Sequence, residues 1–508
     1  METYDTLTVV LLMAMLVCVL VPARRWRTWF GVLLTAASVA CVAHYVVERP
    51  RWQMWPAYWV LGATLVFTVV TCRPLVRRWL EAHERLGTRL RLVLSVAAGL
   101  LLGSSVLASW CFPLFELPRP DGSSAIGTRV FHWVDTTRRE THAGSSTGPR
   151  ELMVRVWYPA TESGTQSRAV YLENAKAIGE AINRGHWPYG YFLEHLELVS
   201  THSLRDAPLS QDGQSYPVLV FSHGLSLGHA AQNTVLMEAL ASHGYVVFSI
   251  NHAYDGLATV YPDGRVALFD TTAYEVNDPP PSPELASAEA RLRDSLDPGA
   301  LLELSRRTIQ ERPQEARMRR ERYEAWSRDQ RFVLDQIERL QAGEVPSPFA
   351  GHLQLQRLGV LGMSFGGVAA ARTCALDSRC RAGINLDGFG DVAIENPPHR
   401  QPFLYFNHDG PDSNVVFMDL DQGPRYFIKV AGAEHLDFTD TPLLSPLAKL
   451  SGASGSIETR RMLELTSAYV RAFFDQYLRD EPASLLQGVS ADYPEVTLLA
   501  RPHESGGE

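Results

Sequence analysis

Gly362-Met363-Ser364-Phe365-Gly366 is the stretch on which the reading of this chain turns. It follows an apolar run, Leu355-Gln356-Arg357-Leu358-Gly359-Val360-Leu361, and leads into small residues, Gly367-Val368-Ala369-Ala370-Ala371-Arg372. A strand, a five-residue G-x-S-x-G turn and a helix together make a nucleophile elbow. The turn is so sharp that the positions two residues either side of the serine tolerate only glycine. The pattern points to serine-based ester chemistry and to a doubly wound, mostly parallel sheet.

A serine is a weak nucleophile and needs a base, and the base needs an acid to orient it. In folds with such an elbow the chain order is serine, acid, histidine. Downstream of Ser364, Asp387 closes Ile384-Asn385-Leu386-Asp387-Gly388 after a short apolar run. His435 lies in Ala431-Gly432-Ala433-Glu434-His435-Leu436-Asp437, after the next-but-one strand. Both fall where loops leave the carboxyl ends of strands, the edge at which such sheets place their sites. Asp437 and Asp440 are rival acids; two residues from the histidine, Asp437 reads better as a loop residue.

A second match to the pattern, Gly224-Leu225-Ser226-Leu227-Gly228, also follows a strand. Here His223-Gly224 comes directly after the strand, which suits a loop that lends a backbone N–H to an oxyanion. His252 and Asp255 follow Ser226 in the wrong order for the template. Ser364 is therefore the expected nucleophile, with Asp387 and His435 completing the triad. Leu225 and Phe365 are expected to supply the oxyanion amides.

Phe221-Ser222-His223-Gly224-Leu225, Gly362-Met363-Ser364-Phe365-Gly366-Gly367, Asn385-Leu386-Asp387 and the His435 loop resemble the platelet-activating-factor acetylhydrolase family of serine α/β-hydrolases. That family is close to the dienelactone-hydrolase-like group, whose own members use cysteine where Ser364 stands. The resemblance covers residues 128–478. It implies an α/β-hydrolase fold, the same triad and oxyanion roles, and an ester or lipid substrate. The family's preference is for short acyl chains on phospholipids. The membrane spans and the charged insertion described next depart from its pattern.

Alternating or apolar runs predict strands at 128–134, 151–158, 216–222, 245–251, 355–361, 382–386, 402–407 and 425–431, and an amphipathic helix at 458–478. A densely charged insertion, 256–350, separates the fourth and fifth strands. It reads as solvated helices outside the sheet, with a cap over the site or a docking arm as alternatives. Residues 128–480 are thus expected to form the catalytic domain, behind a linker at 116–127 and before a tail at 481–508.

Four apolar runs, 7–21, 29–47, 55–72 and 92–115, precede that domain; about 20 apolar residues cross a bilayer. Arginines 24, 25 and 27, and then 73, 77, 78, 85, 89 and 91, fill the first and third connections. The positive-inside rule puts those loops in the cytoplasm and the catalytic domain outside. Gly99 and Gly103 form a small-xxx-small pair suited to close helix packing. The aromatic stretch 186–192 reads as core packing, with an acyl pocket or the bilayer surface as alternatives. Cys374 and Cys380, the only cysteines beyond the spans, would pair across a short loop in an oxidising compartment or stay as buried thiols.

The first 115 residues carry eleven arginines, no lysine and five acidic residues; the rest is strongly acidic, and the whole chain is at −9. An acidic globular part argues against nucleic acid as partner. With no H-E-x-x-H, paired C-x-x-C or P-loop, neither metal nor cofactor is expected. The expected activity is that of a membrane-anchored serine esterase or lipase working through an acyl-enzyme. Transfer of the acyl group to an alcohol, or a non-catalytic membrane sensor or scaffold, are the alternatives.

Overall fold

The computed structural model describes residues 3–501, apart from 21–25, 143–147, 163, 185–189, 213–214, 293–294, 296, 390–399, 411–412 and 421. The chain divides into two compact units. One comprises residues 1–116 with 172–199 and 444–447; the other holds the remainder.

The first unit is helical. Its long elements are Thr3–Leu20, Trp26–Ala43 continued by a π turn over His44–Glu48, Trp55–Thr71 and Glu84–Cys111, with a short amphipathic helix at Pro74–Ala82. Three stretches, Trp29–Glu48, Trp52–Thr71 and Arg85–Cys111, are long and apolar enough to cross a membrane. The first expected span is a shorter apolar helix, Thr3–Val19. The last span is displaced from its expected bounds, starting at Glu84 and ending at Cys111, because Arg85, Arg89 and Arg91 continue the helix rather than break it. A Cβ added to Gly99 or Gly103 would meet nothing within 4 Å, so the expected close helix packing there is not made within the described chain. Of the aromatic stretch, 186–189 lie outside the described residues. Phe192 packs on Phe112, with ring centroids 4.9 Å apart, and on Trp52 at 4.8 Å.

The second unit is built on a twisted sheet. Its strands are β1 Ala125–Arg139, β2 Pro149–Ala160, β3 Arg168–Val170, β4 Ser200–Arg205, β5 Tyr216–Ser222, β6 Val246–Asn251, β9 Leu353–Met363, β10 Ala382–Leu386, β11 Phe403–Asn407, β12 Arg425–Val430 and β13 Val496–Arg501. β7 Ala258–Val260 and β8 Val266–Leu268 form a separate hairpin. The order across the large sheet is β13-β12-β11-β10-β9-β5-β6-β2-β1-β4-β3. The run from β6 to β12 is parallel; β2 and β13 are antiparallel to the neighbours they flank. β13 lies in what the sequence suggested was a tail, and β3 and β4 were not foreseen. The expected linker already contains the start of β1.

Alternation along the strands serves two buried faces. Val218 and Val220 of β5 join Val333, Leu334, Ile337 and Leu340 of the long helix Pro313–Gln341, and Ala370 and Cys374 of the helix Phe365–Leu376. Leu219 and Phe221 face the other way, onto Leu236 and Leu240 of Thr234–Ser242 and Leu465, Tyr469 and Phe473 of Thr459–Leu478. The end of the expected solvated insertion is therefore a core helix, corrected by its buried stripe. The three α-helices described in it each begin at a proline, Pro283, Pro298 and Pro313, where the missing N–H costs nothing. Cys374 and Cys380 are joined by a disulfide that closes the turn between the helix Phe365–Leu376 and β10.

Candidate active site

Sheet register assembles the site. From β5 the chain moves to β6 on one side and then crosses to β9 on the other, so the ends of β5 and β9 lie beside each other where the winding reverses. Such a switch point is where open α/β sheets bind ligands. Ser222 pairs with Gly362, and Met363 pairs with Leu386. Leu386 pairs in turn with Phe406. The residues that follow each pair, His223-Gly224-Leu225, Ser364-Phe365, Asp387 and Asn407-His408, are therefore brought to one edge.

Ser364 has φ 54° and ψ −121°, a conformation L-residues rarely adopt. Its N–H donates to Leu386 O at 2.7 Å, and Phe365 opens the helix that follows. A Cβ on Gly362 would strike the backbone of Gly366, and one on Gly366 would strike the Ser222 and His223 carbonyls. The two elbow glycines are thus fixed by crowding. Ser364 is half-buried.

Asp387 is fully buried and also left-handed, with φ 53°. Its Oδ2 lies 2.5 Å from His435 Nδ1. The other oxygen accepts from the His408 backbone N–H at 2.8 Å and lies 2.7 Å from His408 Nδ1. Burial alone would raise this carboxyl's pKa; the hydrogen bonds from His408 and His435 outweigh it and hold it below the ordinary value. The His435 side chain is 35% exposed. Asn385 braces the turn, accepting from Gly388 N at 2.7 Å and donating to Gly388 O at 2.9 Å. Among the described residues no hydrogen bond joins Ser364 Oγ to His435; that contact commonly tightens only with substrate in place.

The rival acids are occupied elsewhere. Asp437 accepts from Ser454 Oγ at 2.5 Å, Gly455 N at 2.7 Å and Glu434 N at 2.8 Å, shaping the histidine's own loop. Asp440 is buried against the start of the helix Thr234–Ser242.

Leu225 lies on the loop after β5 and Phe365 in the first turn of the helix after β9, and neither amide donates to a described residue. A Cβ on Gly224 would lie 3.4 Å from Ser364 Cβ, so the loop carrying Leu225 runs against the serine. The side chains of Leu225 and Phe365 pack with Tyr323, Trp326 and Ile309, so helices of the insertion wall one side. Ser226, with φ 72°, has its N–H on Asp255 O at 2.9 Å and sits in the loop rather than on an elbow.

One constellation had no sequence signal. Ser222 Oγ lies 2.9 Å from His252 Nε2, and His252 Nδ1 lies 2.9 Å from Asp329 Oδ2. These are triad distances, yet all three residues are fully buried and Trp326 stacks on His252 at 3.8 Å. No substrate reaches them. Asp329 is further held by Arg150 at 2.7 Å and Arg138 at 2.8 Å. His408 was equally unforeseen, since an Asn-His-Asp loop after a strand matches no motif.

Comparison with known proteins bears on this arrangement. The family described as "Platelet-activating factor acetylhydrolase, isoform II" matches residues 115–484. A probable 1-alkyl-2-acetylglycerophosphocholine esterase of Arthroderma benhamiae is 25% identical over 78% of this chain and 97% of its own length. Platelet-activating factor acetylhydrolase of Bos taurus is 23% identical over 73% of this chain and 81% of its own. Among solved structures, a ferulic acid esterase from Streptomyces cinnamoneus superposes with a TM-score of 0.57 at 25% identity, covering 76% of this chain and 99% of that one.

Proposed function

The chain belongs to the platelet-activating factor acetylhydrolase isoform II family and is a carboxylic-ester hydrolase, and from that premise we propose that it cleaves its ester through Ser364, His435 and Asp387. Ser364 Oγ attacks the ester carbonyl while His435 Nε2 takes its proton. Asp387, bound to Nδ1, holds the imidazole in the tautomer that leaves Nε2 free, and stabilises the imidazolium that forms. The Leu225 and Phe365 amides receive the oxyanion. His435 then returns the proton to the departing alkoxide, leaving an acyl-enzyme. A water, deprotonated by the same imidazole, attacks that acyl group; collapse frees the acid and restores Ser364.

The observation that carries this reading is the 2.5 Å contact between His435 Nδ1 and the buried Asp387, next to an elbow serine of strained backbone. By analogy with the names of the relatives, the proposed substrate is an acetyl or other short-acyl ester of a glycerophospholipid, whose lyso-glycerophospholipid is the leaving group. A series of p-nitrophenyl esters and sn-2 acyl glycerophospholipids of increasing chain length tests this. Short acyl groups should give the highest kcat/KM; a rise with chain length would contradict it.

We further propose that the helices within residues 1–115 anchor residues 128–480 at the outer side of a membrane. Support comes from three helices of spanning length, the arginine-rich connections, and the Cys374–Cys380 disulfide, which suits an oxidising compartment. A reporter enzyme that works only outside the cytoplasm, fused after residue 120, should be active. Activity confined to a cytoplasmic reporter would reverse the orientation.

A further inference from the structure

We propose that His223 is the positioning residue of the oxyanion site: its Nδ1–H holds the Gly224 carbonyl and so aims the Leu225 amide at the carbonyl that Ser364 attacks. This rests on the reading of Ser364 as nucleophile.

The proton on the ring is assigned by its partners. The His252 backbone N–H donates to His223 Nε2 at 3.1 Å, so that nitrogen is an acceptor and bears no proton. Gly224 O, 2.7 Å from Nδ1, can only accept, so Nδ1 carries the hydrogen. Full burial, with the neighbouring His252, pushes the pKa of His223 well below its ordinary value, which keeps the ring in this one neutral form.

A peptide is planar and trans, so its C=O and N–H point in opposite directions. Holding Gly224 O therefore fixes the direction of Leu225 N–H, an amide with no acceptor among the described residues. The preceding peptide is held as well, with Gly224 N donating to Gln232 Oε1 at 2.8 Å. Gly224 itself borders Ser364.

The ring has no room to turn. A Cβ on Gly228 would strike Gly224 O and His223 Nδ1, and one on Gly256 would lie 2.8 Å from His223 Cε1. Trp326 stands edge-on at 5.1 Å. His252, the source of the N–H, is fixed in turn by Asp329, Ser222 and the Trp326 stack. The buried Ser222-His252-Asp329 set is thus a brace at the ends of β5 and β6. The second glycine of the Gly224–Gly228 pattern is there to admit an imidazole.

A donor aimed at an oxyanion favours oxygen over sulfur, a poorer hydrogen-bond acceptor. The test is the ratio of kcat/KM for p-nitrophenyl acetate to that for its thionoacetate counterpart, measured on the full chain. A ratio does not depend on how much of a variant is folded. His223→Asn keeps an N–H near the Nδ1 position, and His223→Gln keeps only a group near Nε2. Asn should hold the ratio within about threefold of the parent. Gln should lower it at least tenfold, with kcat for the acetate down by roughly 100-fold and KM little changed, in line with loss of one oxyanion donor. Equal ratios in the two variants, or ratios equal to the parent's, would overturn the proposal. Ser364→Ala separates the two readings. If it stays active, the nucleophile assignment fails; if it is dead while the ratios do not move, only the role of His223 fails.

Discussion

Asp387 and His408 are hydrogen-bonded twice: the His408 backbone N–H donates to Asp387 Oδ1 at 2.8 Å, and its ring Nδ1 lies 2.7 Å from the same oxygen. Asp387, the proposed orienting acid, is therefore itself oriented, with one oxygen committed to each imidazole. His408→Ala keeps the backbone bond and removes the ring. A hydrogen bond to a charged group is worth about 1.5–3 kcal/mol. We expect kcat to fall roughly tenfold with KM nearly unchanged in steady-state kinetics on p-nitrophenyl acetate. An unchanged kcat would make His408 a bystander.

Asp387→Asn leaves the shape of the site and removes its charge. An amide N–H facing His435 Nδ1 favours the tautomer with the proton on Nε2, which cannot accept from Ser364. A fall in kcat of about 10⁴ is expected. A fall below tenfold would transfer the orienting role to another acid.

The path from sequence to site was legible where local rules and global topology agree. The elbow, β5 and β10 are apolar runs closed by motifs, and residues 216–222 and 382–386 are strands to the residue. Other elements gave little signal. β4, Ser-Thr-His-Ser-Leu-Arg, has a single apolar residue, and β13 is an edge strand just after Pro494. The buried stripe Tyr323, Trp326, Gln330, Val333, Ile337 and Leu340 has helical spacing, but arginines and glutamates on the other face hide it. His408 and Asp329 act only through partners brought in by register and packing, so no spacing in the chain marks them.

Asp255 contributes to the acid limb of stability, as other buried carboxyls such as Asp329 do. Burial would raise its pKa, but the hydrogen bond from His142 and the nearby Arg150 and Arg322 outweigh that and lower it to about 2. Its folded value is below its unfolded one. The stabilisation is therefore present above about pH 4 and is lost as pH falls through about 2, amounting to about 2 kcal/mol. Denaturant unfolding of the chain and of Asp255→Asn at a series of pH values should show the parent losing stability faster between pH 4 and 2. Parallel curves would contradict this.

The Cys374–Cys380 disulfide closes a short loop, and a cross-link of that length restricts the unfolded chain by about 2 kcal/mol. The double variant Cys374→Ala/Cys380→Ala should unfold at lower denaturant while retaining kcat within about threefold. Loss of activity without loss of stability would mean the bridge shapes the site itself.

Three serines at the ends of β5 and β9 meet one or another criterion for a nucleophile: Ser364 on the elbow, Ser226 in the second G-x-S-x-G, and Ser222 at triad distance from a histidine. Fluorophosphonate labelling of the Ala variants of each, with kcat measured on the same preparations, distinguishes them. Ser364→Ala should lose labelling and at least about 10⁴ of kcat, while Ser226→Ala and Ser222→Ala remain labelled. Labelling that survives in Ser364→Ala and vanishes in either of the others would contradict the account at its centre.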